Sequence, residues 1–100
     1  MFEYSFYKNT NEEIRAVEVA PLENYFLRVC FSNGEKRVFD VKTLFGMPVY
    51  SPLKNKALFS AAKIECDMVV WEYKRKNEYL VNDIDIHQEI LYWDGIPENS

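Results

Sequence analysis

The feature of this chain that most restricts its fold is a β-hairpin pattern in its first half. Every second residue of one segment is apolar: Tyr25, Leu27, Val29 and Phe31. This period of two places the four side chains on one face of a strand. Asn33 and Gly34 follow at once, and this dipeptide tolerates the positive φ angles of a tight primed turn. Residues 36–41 then return as the partner strand, so the sequence predicts an antiparallel hairpin.

Other segments extend this hairpin and predict a second one. Residues 14–20 predict an earlier strand that ends at Pro21, whose ring fixes φ and whose nitrogen carries no hydrogen. The three strands together form a predicted meander. In the second half, residues 67–73 predict a strand. A polar turn at 74–77 and a short returning strand at 79–81 complete the second predicted hairpin.

Helix signals are short and lie between and after these strands. Asp40 can cap a helical turn, and Asn55 or Ser51 can start a brief amphipathic helix. The clearest signals come near the end of the chain, where Asp85 suits an N-cap and Gln88 stands three residues later, as in a capping box. We therefore predict an α+β fold: an antiparallel sheet, made of the three-stranded meander and a second hairpin, with short helices and a C-terminal helix.

Length and composition indicate one domain over residues 1–100. The hydrophobic fraction of 48% and the aromatic fraction of 16% supply enough apolar surface to offset the conformational entropy lost on folding. The N-terminus lacks a signal-peptide pattern, and no stretch approaches the ~20 apolar residues of a membrane span. We therefore expect a cytoplasmic protein that does not bind membranes.

The charge pattern argues against a dedicated nucleic-acid binder, because phosphate contacts dominate such affinity and the net charge here is −4. The charges are unevenly distributed. Residues 42–76 contain seven bases and three acids, whereas residues 77–100 contain six acids and no Lys or Arg. This asymmetry either steers a charged partner or is neutralised between segments of the fold, and we favour neutralisation.

Residues that could carry catalysis or bind a metal are sparse. Four potential metal ligands stand at alternate positions: Asp83, Asp85, His87 and Glu89. They would share one face of a strand, but the capping signals favour a helix, around which they would spread. Cys30 and Cys66 lie in strand patterns, which predicts two free structural thiols and leaves His87 as a helix-surface residue without a nucleophile. The sequence therefore predicts no metal, no cofactor, no catalytic residue and no enzymatic activity.

A candidate interaction surface remains after these assignments. Its members are the aromatic residues near the two ends of the chain and one basic triplet: Phe2, Tyr4, Phe6, Lys74, Arg75, Lys76, Tyr92 and Trp93. Exposed aromatic side chains commonly anchor interfaces, although these could equally fold over the sheet and become buried. The triplet suits a solvated hairpin tip better than a stacking platform for single-stranded nucleic acid.

A series of short motifs follows in a characteristic order along residues 14–92: Val19-Ala20-Pro21-Leu22, Tyr25-Phe26-Leu27-Arg28-Val29, Phe31-Ser32-Asn33-Gly34-Glu35, Val38-Phe39-Asp40-Val41, Leu53, Phe59, Val70-Trp71, Asp85-Ile86 and Leu91-Tyr92. In this order and spacing the chain resembles bacterial domain-of-unknown-function family 2442. It departs from that pattern in residues 1–13, an aromatic N-terminal extension, and in a longer stretch between Trp71 and Asp83.

The resemblance implies a small α+β module without an assigned enzymatic activity. Some members of that family precede a helix-turn-helix domain, and others are encoded beside a small protein as a suspected toxin–antitoxin partner. We therefore expect a non-enzymatic protein-interaction or regulatory module, which could be the antitoxin-like partner of a small neighbouring gene product. Its binding partner would be another protein or a second copy of the chain. The alternative is an accessory protein that meets nucleic acid through the basic segment 42–76.

Overall fold

A computed structural model describes residues 14–73 and 82–98 of the chain. The described residues form a four-stranded and a three-stranded antiparallel sheet, with short helices between strands and one near the C-terminal end. The predicted α+β class is therefore confirmed. Within these two ranges, no helix has the length and apolar character needed to cross a membrane.

The first sheet has the strand order β1-β2-β3-β7, and the second has the order β4-β5-β6. The strands span these residues: β1 Ala16–Pro21, β2 Phe26–Phe31, β3 Lys36–Asp40, β4 Lys63–Glu65, β5 Met68–Tyr73, β6 Asn82–Ile86 and β7 Ile96–Pro97. The α-helices are α1, Lys56–Phe59, and α2, Gln88–Asp94. Short 3-10 helices cover Glu23–Tyr25, Val41–Leu44 and Pro48–Lys54.

The predicted β2–β3 hairpin is present, with Leu27 opposite Phe39, but its turn is longer than expected. The Phe31 N–H donates to the Glu35 carbonyl at 2.8 Å, so three residues form the loop. Gly34 has φ +90°, and Asn33 has no positive φ. The predicted primed turn is therefore wrong. Three-residue loops combine an ordinary turn with one left-handed residue, and Gly34 fills that position.

A two-residue turn of the primed kind occurs instead between β4 and β5. Glu65 pairs with Met68, and both intervening residues have positive φ, 52° at Cys66 and 66° at Asp67. Cys66 is therefore an exposed turn residue, which corrects its predicted place in a strand. Cys30 does lie in β2, and both thiols are free. No glycine marks the Cys66 turn, which is why turn chemistry did not reveal it.

The segment before α2 is a strand, and the prediction that Asp85 caps a helix is wrong. Ile84 and Ile86 lie opposite Trp71 and Val69 of β5 and are fully buried with them. Burial of this alternating pair outweighs the local capping signal. The N-cap is instead His87, whose Nδ1 accepts from the Glu89 N–H at 3.0 Å.

The other predicted caps are confirmed. Asp40 Oδ1 accepts from the Lys42 N–H at 3.0 Å and so begins the 3-10 helix Val41–Leu44. Asn55 Oδ1 accepts from the Leu58 N–H at 3.1 Å and begins α1. Each cap satisfies a backbone donor that the first turn leaves unpaired.

The core is formed by the inner faces of both sheets and by side chains from the helices. Its largest fully buried members are Trp71, Leu27, Leu53, Ile84, Ile86, Leu91, Val29, Val41 and Val69. Burial of one such side chain stabilises the fold by roughly 1.5–3 kcal/mol. The Trp71 indole N–H donates to the Phe59 carbonyl at 2.9 Å, so the largest core residue also has its polar atom satisfied.

Candidate functional site

The outer face of the first sheet is formed by residues that alternate with the core residues. In β2 and β3 these include Phe26, Arg28 and Val38, and the register places Val38 opposite both Arg28 and Ile96 of β7. Phe26 and Val38 are half-buried, whereas Ile96 is 71% exposed. Apolar side chains from three neighbouring strands therefore share the face opposite the core.

A groove of about 600 Å³ opens on this outer face. It is lined by strand residues, by the 3-10 helix after β3, and by the junction of α2 with β7: Phe26, Val38, Phe39, Asp40, Thr43, Leu44, Trp93, Asp94 and Ile96. Trp93 is 53% exposed and Asp94 is also exposed. We call this surface the groove face. A cleft of this volume can accommodate a ligand the size of several side chains.

Asp40 holds the 3-10 helix whose residues Thr43 and Leu44 line the groove. Besides capping the 3-10 helix, its backbone carbonyl accepts from the Thr43 hydroxyl at 2.8 Å, and its carboxylate lies 3.0 Å from the Lys42 ammonium. The Lys42 ammonium also lies 4.2 Å from the centre of the Phe26 ring. The charge of Asp40 is thus neutralised locally, and Thr43 and Leu44 are held beside the strands.

Tyr92 is the buried neighbour of the groove residue Trp93. Its side chain is only 7% exposed, and its hydroxyl donates to Glu35 Oε2 at 2.8 Å. The Phe31 ring meets it edge to face at 5.1 Å. Successive residues of a helix point about 100° apart. Because Tyr92 turns into the core, Trp93 turns outward, where its ring meets Tyr92 edge to face at 5.0 Å.

Arg37 and Gly95 join α2 to the sheet. The Arg37 guanidinium lies 3.9 Å from the centre of the Tyr92 ring and donates to the Tyr92 carbonyl at 2.6 Å and to Glu35 Oε1. A Cβ at Gly95 would collide with the Leu91 carbonyl oxygen and lie 3.1 Å from Arg37 Cβ. Only glycine therefore allows the chain to leave α2 this close to β3 and continue as β7.

These contacts shift two pKa values. The hydrogen bond from Tyr92, with those from Arg37, lowers the pKa of Glu35 below its ordinary value. Burial raises the pKa of Tyr92, and its hydrogen bond to the Glu35 carboxylate raises it further. Both shifts favour the ionised carboxylate and the neutral phenol at neutral pH.

A bidentate ion pair holds the end of β7 on the groove face. Arg28 Nε and Nη2 each donate to one Glu98 carboxylate oxygen at 2.8 Å. The hydrogen bond from Arg28 lowers the pKa of Glu98 and raises that of Arg28. Two parallel hydrogen bonds fix direction as well as distance. Arg28 and Glu98 therefore help to position the two-residue strand that presents Ile96.

Both edge strands of the first sheet carry a proline where another strand would have to bind. The Glu98 N–H donates inward to the Lys36 carbonyl, and the Leu22 N–H donates inward to the Phe26 carbonyl. Backbone donors alternate between the two edges of a strand, so the nitrogens of Pro97 and Pro21 face outward. Neither can donate a hydrogen bond. Strand addition is thus disfavoured at these edges, and the groove face is the more accessible surface.

The predicted site residues fall in different places. Tyr92 belongs to the core and to the Glu35–Arg37 network, so it is not an exposed anchor, whereas Trp93 lies on the groove face. Phe2, Tyr4, Phe6, Lys74, Arg75 and Lys76 lie outside the described residues. Sequence reasoning missed Phe26, Val38 and Ile96. Phe26 and Val38 could have been found as apolar residues on the polar side of the predicted hairpin.

The potential metal ligands are separated by the change from strand to helix. Asp83 and Asp85 are exposed on β6, His87 caps α2 through its Nδ1, and Glu89 lies within α2. In the ranges 14–73 and 82–98 no three His, Cys, Asp or Glu residues are grouped so that they could hold a metal ion.

A second hollow, of about 550 Å³, lies beside the turn from Leu22 to Tyr25. Asn24 and Tyr25 have positive φ angles of 60° and 65°. The Tyr25 ring packs edge to face on Phe45 at 5.1 Å and on Phe59 at 5.2 Å, and its hydroxyl donates to the Lys54 carbonyl. These core contacts account for the unusual backbone, so the strain has a structural cause.

Comparison with known proteins relates the chain to one family. Neither the curated proteins nor the solved structures include a match to it. Residues 16–96 match the family described as a protein of unknown function, DUF2442. This match covers strands β1 to β6, α2 and the first residue of β7. The chain therefore belongs to the DUF2442 family.

Proposed function

We propose that this chain is a protein-binding module without catalytic chemistry of its own, and that the groove face is its binding surface. The observation that carries this proposal is the exposure of Trp93 and Ile96 beside a groove with a largely apolar lining. Tryptophan is enriched among the residues that dominate binding energy at interfaces. An antitoxin-like role beside a small neighbouring gene product is one form such binding would take.

Contacts with neighbouring segments support the groove face at three places. The Thr43 hydroxyl donates to the Asp40 carbonyl, the Trp93 ring packs edge to face on Tyr92, and the Arg28–Glu98 pair holds the end of β7. A surface whose residues are already positioned loses less conformational entropy when a partner binds. This preorganisation supports a role in recognition.

Site-specific photo-crosslinking in cells of the source organism tests the proposal. A benzophenone amino acid at position 96 should give a discrete adduct with one protein, and the purified partner should then bind the unmodified chain in calorimetry. The same probe at Val49, which is 58% exposed and does not line the groove, is the matched control. Identical adducts at both positions, or none at position 96, would contradict the proposal.

The alternative role with nucleic acid has weaker support. Within the basic segment, Lys42 is paired with Asp40 at 3.0 Å and Lys63 with Glu72 at 2.8 Å, which reduces the positive potential available for phosphate groups. Lys54 and Lys56 are exposed. A salt-dependent mobility shift that disappears in a Lys54→Glu, Lys56→Glu variant would revive this alternative.

A further inference from the structure

We infer that the groove binds a segment of a partner protein that presents an aromatic or branched aliphatic side chain next to a Lys or Arg. This inference rests on the proposed function and names the chemistry of the partner. It follows from three properties of the groove face: its apolar lining, the exposed acidic charge of Asp94 and the outward-facing prolines on the edge strands of its sheet.

The apolar lining requires an apolar anchor. Exposed Trp93 and Ile96 line the groove together with half-buried Phe26 and Val38, and Leu44 adds a further aliphatic side chain. An anchor seated among these groups removes apolar surface from water on both partners, at roughly 25 cal/mol for each Å² buried. A volume of about 600 Å³ admits one large side chain together with its neighbours in the partner segment.

The charge around the groove selects a basic neighbour for that anchor. Asp40 is neutralised by Lys42, and Glu98 is neutralised by Arg28. Among the described residues that line the groove, the other charged side chain is Asp94, which is exposed and lies beside Trp93 in the chain. A Lys or Arg of the partner would therefore lie at this end of the groove.

The outward-facing prolines on the edge strands affect how the segment binds. Pro97 faces outward on β7 and has no N–H to donate, so addition of a partner strand at this edge is disfavoured. We therefore expect the segment to lie across the strands and to bind mainly through its side chains. Specificity then comes from the apolar anchor and its basic neighbour, with little contribution from the partner's backbone.

Selection from a library of random 12-residue peptides displayed on phage tests this inference with the whole chain as the target. The selected peptides should share an aromatic or branched aliphatic residue within a few positions of Lys or Arg. In titrations of synthetic peptides, Ile96→Ser should weaken binding about tenfold or more, as expected for the loss of a central anchor contact. Asp94→Lys should weaken binding by about twofold to fivefold, and less at high salt.

Val49→Ser is the matched control for Ile96→Ser, because both replace an exposed branched side chain and Val49 does not line the groove. This variant should bind the selected peptides as the original chain does. The Trp93 emission should shift to shorter wavelength on binding, while Trp71, which is fully buried, serves as an internal reference.

Several outcomes would overturn the inference. Selected peptides rich in Asp or Glu would contradict the charge argument, and equal binding to the Ile96→Ser variant would contradict the location. Concentration-dependent NMR shifts of groove residues in the free protein would assign the groove to a second copy. Nuclear Overhauser contacts from residues 1–13 would assign it to the chain itself. If a discrete crosslink at position 96 persists while no basic apolar peptide is selected, the partner chemistry is wrong but the proposed function stands.

Discussion

The Arg37 guanidinium stacks on the Tyr92 ring at 3.9 Å and donates to the Tyr92 backbone carbonyl at 2.6 Å. One side chain of β3 thus contacts both the face of the aromatic ring and the main chain of α2. Glu35 closes the network by accepting from Arg37 and from the Tyr92 hydroxyl. The network connects the β2–β3 turn with the last turn of α2, and Trp93 of the groove face packs on its Tyr92 ring.

Loss of the polar contacts in this network should lower the free energy of unfolding. Tyr92→Phe keeps the ring but loses the hydroxyl contacts to Glu35 and Asn33, so the free energy of unfolding should fall by about 0.5–1.5 kcal/mol. Arg37→Ala should cost more, about 2–3 kcal/mol, because the Arg37 side chain is only 14% exposed and its loss removes the donor from two acceptors, Glu35 Oε1 and the Tyr92 carbonyl. Urea unfolding measures both. If Arg37→Ala costs no more than Tyr92→Phe, the guanidinium is not the centre of the network.

The lowered pKa of Glu35 predicts a loss of stability in acid. The pKa of Glu35 in the folded protein lies below its unfolded value near 4.5. The ionised Glu35 carboxylate therefore stabilises the fold fully above pH 4.5, and this stabilisation is lost as the pH falls through the folded pKa. Glu35→Gln should therefore flatten the decline in unfolding free energy below about pH 4.5. Glu65→Gln, on the other sheet, is the control and should leave the contribution of Glu35 intact. An unchanged acid slope in Glu35→Gln would count against the network.

A change at Gly95 should be far more costly than one at Gly46. In Gly95→Ala the new Cβ would meet the Leu91 carbonyl oxygen, so backbone must shift, and we expect a loss of about 1–3 kcal/mol. No heavy atom lies within 4 Å of a Cβ at Gly46, and its φ is not positive. Gly46→Ala should be neutral or stabilising by up to about 1 kcal/mol. Thermal unfolding compares the two, and equal effects would refute the close approach at Gly95.

The strained turn at Cys66 should tolerate glycine better than a branched side chain. Cys66 is exposed with φ 52°, a conformation that costs an ordinary residue about 1–2 kcal/mol. Cys66→Gly should therefore raise the unfolding free energy by about 0.5–1 kcal/mol, whereas Cys66→Val should lower it. Cys66→Ala separates loss of the thiol from relief of strain. A glycine variant less stable than the alanine variant would contradict the assigned turn.

Much of the fold could be predicted from local patterns. The alternation of apolar residues predicted β2, and the capping side chains of Asp40 and Asn55 predicted where two helices begin. The site was less predictable. The sequence predicts an interface role for Trp93 because it is a large aromatic residue near the C-terminal end, but nothing local distinguishes it from Tyr92. The two residues are adjacent, and the contacts that distinguish Tyr92 come from Phe31, Glu35 and Arg37, which are distant in sequence.

The sequence by itself determined the features that depend on neighbouring residues: strand periodicity, caps and the left-handed position of Gly34. The tertiary structure alone decided the features that depend on distant pairing. Residues 82–86 became a strand because Ile84 and Ile86 pack with Trp71, and Ile96 reached the groove face because β7 pairs with β3. A local pattern fixes which conformations a segment prefers. Which face of that segment is covered, and by what, depends on contacts with parts of the chain far away in sequence.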